Sequence, residues 1–218
     1  MAGNPESYFR QQDEPSWAAR WGISDSDGTF EYALYLQRVL AAGRSENGVF
    51  GARVMWGTLD EIVDKLGTVY PDLARRDIAL LHRAFGQLKF IYLQRRDVVA
   101  QAVSWLRAEQ TQVWVAQRDE PRGEPHFEFD RLREMRRIID NHNAAWESWF
   151  TVVGAEPHRV TYEDLDRDPV GVTLRVLDFQ GLELPSGRTV QVRHRRLRDR
   201  LNADWVEQYI ERETGGST

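Results

Sequence analysis

Arg95, Arg96 and Ser104 are the residues whose types and spacing could do chemistry together. The two arginines sit where an apolar run at 88–93, LKFIYL, gives way to Gln94-Arg95-Arg96-Asp97 and then to a helical pattern. The run is rich in Phe, Ile and Tyr and reads as a buried strand. Val98, Val99, Ala102, Val103, Leu106 and Val113 recur at three- and four-residue spacing, a core-facing stripe. A strand running straight into a helix leaves free N–H groups and partial positive charge at the helix start, a natural place for an anion. Arginine adds a planar fork that can clamp phosphate bidentately, where lysine is a point charge. Ser104 lies eight residues after Arg96, roughly on the same side of the helix at about 100° per residue. The same residues also suit a plain capped helix end, with Asp97 favouring the dipole. Local chemistry leaves both readings open.

The surrounding elements alternate between strand-like and helix-like, which points to an α/β fold with a largely parallel sheet. Helices are expected over 6–21 and 27–44, and a strand over 50–56. Thr58-Leu59-Asp60-Glu61 opens a short helix to residue 65 or 66, and Pro71 starts another that Gly86 ends. After the central strand and helix, 119–125 reads as a charged, proline-broken loop and 127–153 as a long helix whose Trp146, Trp149 and Phe150 are packing residues. A strand is expected over 158–162. Glu163-Asp164 then reads as an acidic turn, and Asp168-Pro169 as the cap and first residue of a helix to about Gln180. Residues 182–193 read as irregular or edge strand, and 202–212 as a closing helix. Residues 1–214 are expected to form one domain, with 215–218 a disordered tail.

Composition narrows the function. The chain has 218 residues, 41% of them hydrophobic, a net charge of −5 and no cysteine. That excludes disulfides, thiol nucleophiles and thiolate metal sites, and argues against general binding to nucleic acid or anionic membranes. The histidines at 82, 126, 142, 158 and 194 lack metal-ligand spacing. No apolar run reaches a membrane span, so the expectation is a cytoplasmic protein without a bound metal. The basic run at 193–200 reads as a local patch; a nucleic-acid-binding module built on it is the weakest reading.

Arg96 followed by Ser104 in a strand–loop–helix resembles the 3'-phosphate-binding motif of sulfotransferases that use 3'-phosphoadenosine-5'-phosphosulfate (PAPS). The fuller string RRDVVAQAVSWLRAEQTQVW is similar to the bacterial trehalose 2-sulfotransferase family. Residues 3–9, GNPESYF, resemble its G-x-P-x-E-[YF]-F segment, and residues 47–56, NGVFGARVMW, its N-G-V-[FW]-G-x-K-[LV]-M-W segment. Residues 144–150, 160–165 and 204–209 also match, so the resemblance runs nearly the whole length in order.

The resemblance implies a three-layer, P-loop-NTPase-like fold and transfer of a sulfuryl group from PAPS to a hydroxyl of a sugar or other small metabolite. Arg96 and Ser104 would hold the 3'-phosphate with Arg95 assisting, and Arg196 would close over the nucleotide. The family's general base is the Glu of G-x-P-x-E. In-register alignment puts Ser7 there and Glu6 one position earlier, so Glu6 and Ser7 are the candidates for that place. The family's first strand and its P-R-S-G-S-T-type loop, which cradles the 5'-phosphosulfate, lie before that segment and are expected to be missing. If Met1 is a wrongly chosen start, an in-frame upstream stretch encodes them. Otherwise a rearranged N-terminal helix or a second subunit, in a homodimer, would cover the exposed strand edges. The alternative function is a degenerate, non-catalytic binding or dimerisation protein.

Overall fold

The computed structural model describes residues 1–114, 120, 122–192 and 200–215. They fall into two compact units.

The first unit takes Met1–Ile91, Ser148–His158 and Arg175–Ser186. It opens with α1 (Glu14–Arg20), α2 (Tyr32–Gly43), α3 (Trp56–Val69) and α4 (Asp77–Phe85). The helix expected over 6–21 begins only at Glu14, because Glu6 is paired with Ala52 in a parallel bridge and a chain so extended cannot coil. The strand expected over 50–56 is reduced to that bridge and an antiparallel one between Arg44 and Phe50, with Trp56 already helical. The helix expected from Pro71 splits into a 3-10 turn, Pro71–Leu73, and α4, because Arg75 between them is left-handed with φ 65°. Gly86 ends α4 with φ 79°, as its position suggested.

Aromatic side chains fill much of this unit. Tyr8 packs on Trp17 at 5.2 Å, Phe9 on Phe85 at 5.6 Å and Phe90 on Trp149 at 5.5 Å. Trp149 and Phe150 are buried, so they pack as expected. Glu14 is buried too, and Lys65 Nζ meets its Oε2 at 2.6 Å. Burial pushes the Glu14 carboxyl up, more than Lys65 draws it back.

The second unit takes Tyr92–Glu147, Arg159–Leu174 and Gly187–Thr218. Its part of the chain runs through β1 (Ile91–Gln94), α5 (Val98–Thr111), α6 (Phe129–Val153), β2 (His158–Thr161), α7 (Tyr162–Arg167), α8 (Pro169–Gln180) and α9 (Arg200–Gly215). β1 and β2 pair as a small parallel sheet, and α5 and α6 supply the long crossover that a parallel pair requires. β1 is shifted from the expected 88–93 because its extent follows four-residue β2, with the His158 N–H donating to the Phe90 carbonyl just before it. The class is mixed α/β, and the sheet among the described residues has these two strands.

The apolar stripe of α5 does what its periodicity requires. Ala102, Val103 and Leu106 bury against Leu132, Met135 and Ile139 of α6 and Trp205 and Tyr209 of α9. Each such large side chain contributes about 1.5–3 kcal/mol by leaving water. Val113 falls outside the helix, which ends where Gln112 turns left-handed with φ 60°. Asp168 caps α8 as expected, its Oδ1 accepting the Gly171 N–H at 2.8 Å. α9 runs on to Gly215, so the expected disordered tail loses that residue to the helix, and 216–218 lie outside the described residues.

Candidate functional site

The end of β1 and the start of α5 form the junction that holds both arginines. Asp97 caps α5, its side chain accepting the Ala100 N–H at 2.9 Å, as the plain reading of a capped helix end requires. The N–H groups of Arg96 and Asp97 are left to find another partner, and they converge on one carboxylate. Glu163 accepts the Arg96 N–H at 3.1 and 3.2 Å and the Asp97 N–H at 3.2 Å. Glu163 stands in the first turn of α7, directly after β2. In a parallel pair the carboxyl ends of the strands lie side by side, so the residues that follow each strand meet. Burial pushes the Glu163 carboxyl up, but the two backbone N–H groups and the Arg96 charge outweigh it and hold the group below its ordinary 4.5.

The two arginines have unlike partners. Arg96 Nη2 meets Asp164 Oδ1 at 3.2 Å and its Nε lies 3.6 Å from Glu163 Oε2, so two carboxylates compensate its charge. Arg95 meets no carboxylate among the described residues. Its Nη1 donates to Ser104 Oγ at 3.3 Å, and its guanidinium lies 4.7 Å from the centre of the Tyr162 ring. Its Nε is buried and has no hydrogen-bond partner among the described residues. Ser104 in turn donates to the Ala100 carbonyl at 2.8 Å. Spacing paired Ser104 with Arg96; the coordinates pair it with Arg95.

The remaining expected site residues lie elsewhere. Glu6 and Ser7 belong to the first unit. Glu6 Oε2 pairs with Arg53 at 3.2 Å and its carbonyl accepts the Arg53 N–H at 3.0 Å, so both its backbone and its side chain are engaged there. Ser7 is half-buried next to the fully enclosed Tyr8 and Phe9. Arg196, and the basic run except Arg200, lie outside the described residues. Among the described residues no cluster of His, Asp or Glu is arranged to hold a metal ion, and no helix is long and apolar enough to cross a membrane. A concavity of about 550 Å³ in the first unit is lined by Asp60, Asp64, Arg75 and Asp77 among others. Its acidic wall does not suit a phosphate.

The family described as Stf0 sulphotransferase matches residues 1–212. The chain belongs to the Stf0 sulphotransferase family. A relative named trehalose 2-sulfotransferase, from Mycobacterium tuberculosis (strain Erdman), is 28% identical over 214 residues, covering 96% of this chain and 79% of the relative. A second of that name, from Mycolicibacterium smegmatis, is 30% identical over 178 residues, 80% of this chain and 64% of the relative. The family resemblance carried by RRDVVAQAVSW and the N-terminal segments is therefore correct, and relatives named as sulfotransferases support a transferase.

Within this Stf0 member, the junction combines a guanidinium that meets no carboxylate among the described residues, a hydroxyl beside it, and backbone N–H groups already turned on an anion. Such an arrangement can hold a phosphate monoester. Sequence reasoning gave Tyr162 no role and took Glu163-Asp164 only as an acidic turn. The signal that finds them is topological: two strands pairing in parallel put Tyr162-Glu163 opposite Arg95-Arg96.

Proposed function

We propose that this protein transfers a sulfuryl group from PAPS to a hydroxyl of a carbohydrate or other small metabolite, and that the β1–α5 junction receives the nucleotide's 3'-phosphate. The observation that carries the reading is Arg95. Its guanidinium lies beside Ser104, faces the Tyr162 ring and meets no carboxylate among the described residues. A guanidinium kept short of counter-charge next to a hydroxyl is the equipment a phosphate dianion needs. In this arrangement Arg95 supplies the charge, Ser104 a hydroxyl donor once it turns from the Ala100 carbonyl, and Tyr162 holds the guanidinium plane in place. β1 and β2 then belong to a larger parallel sheet of the P-loop-NTPase-like kind.

Sulfuryl transfer forms a bond from the acceptor oxygen to sulfur as the bond from sulfur to the nucleotide's phosphate oxygen breaks, and the acceptor proton goes to a base. Glu6 is the carboxylate we assign to that proton. It would have to exchange its contact with Arg53 for the acceptor hydroxyl, while Ser7 has no base to activate it. Arg196 is kept as a nucleotide contact by the resemblance alone.

The test is transfer of labelled sulfate from PAPS to trehalose and a panel of other sugars. The full chain is used, with calorimetric titration of the product nucleotide 3'-phosphoadenosine-5'-phosphate alongside. Transfer that Arg95→Ala abolishes supports the proposal. Nucleotide binding without transfer to any acceptor supports the second reading, a non-catalytic binding protein, which Ser7 at the family's Glu position and the engagement of Glu6 by Arg53 favour. The absence of both binding and transfer refutes the proposal.

A further inference from the structure

The junction already holds an anion. Two backbone N–H groups, from Arg96 and Asp97, and the Arg96 side chain close on the Glu163 carboxylate, whose side chain is 26% exposed. These are the kinds of donors a phosphate oxygen takes at a helix start. The carboxylate is therefore in the position of a small internal ligand, presented by the first turn of α7. Beside it, Arg95 has, among the described residues, one hydroxyl partner, one aromatic face and a buried Nε that donates to nothing. A phosphate drawn to Arg95 and Ser104 comes up against Glu163, a like charge on the same short junction. Either the two anions share the site at a Coulombic cost, or one gives way.

We infer that Glu163 is a resident anion of the phosphate site, which the nucleotide's 3'-phosphate displaces from the N–H groups of Arg96 and Asp97 when it binds. This rests on the proposed nucleotide site and adds to it a residue that opposes the ligand. Displacement is feasible because the polar contacts that hold Glu163 are local: two N–H donors and one exposed guanidinium. Asp164, one residue on, stays with Arg96 Nη2 and with its own cap partner Thr161, so α7 keeps an anchor when Glu163 lets go.

The inference fixes the sign of an effect. A residue that only builds the site lowers ligand affinity when it is removed; a resident competitor raises it. Calorimetric titration of the full chain with 3'-phosphoadenosine-5'-phosphate is the measurement, on wild type, Glu163→Gln and Glu163→Ala. Glu163→Gln keeps the shape and loses the charge, and about tenfold tighter binding is expected, the scale of one like charge at this range. Glu163→Ala also frees both N–H groups, and should in addition be stabilised by inorganic sulfate, read as a larger rise in melting temperature than wild type shows. Unchanged or weaker nucleotide binding by both variants, with wild-type binding intact, overturns the inference and leaves Glu163 a structural cap. If Glu163→Ala does not fold, Glu163→Asp decides: withdrawing the carboxylate by one methylene should tighten binding, and unchanged or weaker binding overturns the inference. A wild type that binds no nucleotide refutes the nucleotide site itself, and the inference with it.

Discussion

Replacing each arginine of the junction by alanine should separate binding from stability. Arg95→Ala removes a guanidinium that meets no carboxylate among the described residues, and with it one charge-assisted contact to the ligand at about 1.5–3 kcal/mol. Affinity for 3'-phosphoadenosine-5'-phosphate should fall at least about tenfold and as much as ~150-fold. Its effect on stability is small. The protein loses the contact over Tyr162, about 0.5–2 kcal/mol, and the bond to Ser104, about 1 kcal/mol, but it also loses a buried Nε without a partner, whose cost is about 1–3 kcal/mol. Those terms offset one another.

Arg96→Ala should do the reverse. It breaks two ion pairs of a side chain that is 56% exposed, which solvent screening limits to about 0.2–1 kcal/mol each. For a chain of this size that lowers the melting temperature by about 2–4 °C per kcal/mol. Ligand affinity changes little, because Arg96 attracts Glu163 and the phosphate alike: the variant loses a contact and gains a looser competitor. Calorimetric titration and thermal unfolding followed by circular dichroism read the two effects on the same four samples, wild type, both single variants and the double. An Arg96→Ala loss of affinity equal to that of Arg95→Ala would refute the reasoning, since it would show that the carboxylates at Arg96 do not set the two residues apart.

Ser104→Ala should weaken nucleotide binding about tenfold through loss of one charge-assisted hydrogen bond, with an unchanged circular dichroism spectrum. Acid unfolding should report Glu163. Its folded-state pKa lies below the ordinary 4.5, so its contribution is present above that value and lost as pH falls through the folded pKa; Glu163→Gln should flatten that acid limb. Glu14 has the opposite sign, with a folded pKa above 4.5, so its contribution is present below that value and is lost as pH rises through the folded pKa. Lys65→Met, which leaves the Glu14 carboxylate buried without its partner, should cost about 3 kcal/mol in urea unfolding. Gly171→Ala should cost about 1 kcal/mol or more, because the added Cβ would lie 2.0 Å from the Asp168 carboxylate oxygen and dislodge the cap of α8.

The sequence was most readable where one physical signal acted alone. The stripe on α5, the Asp168–Pro169 start of α8 and the glycine after α4 follow from periodicity and capping, which are local rules. The N-terminal helix and the strand at 50–56 were misread because each depended on the other: the bridge between Glu6 and Ala52 holds one extended and gives the other only isolated pairing. Arg75 broke a helix that propensity alone continues. At the candidate site, motif spacing located Arg95, Arg96 and Ser104 but could not assign partners to two adjacent arginines. That assignment depends on Glu163 and Asp164, 67 and 68 residues further along, and only the pairing of β1 with β2 brings them in.

Tyr162 and Glu163 are consecutive residues at the start of α7, and one faces Arg95 while the other holds the backbone of Arg96. The aromatic rest and the carboxylate thus ride on a single peptide unit. A shift of that peptide unit moves the Glu163 carboxylate and the ring under Arg95 together. Thermodynamic cycles through positions 95 and 163 should therefore show a coupling energy of about 0.5–3 kcal/mol rather than simple sums. A six-residue helix thereby becomes the mechanical link through which the two halves of the proposed phosphate site feel each other.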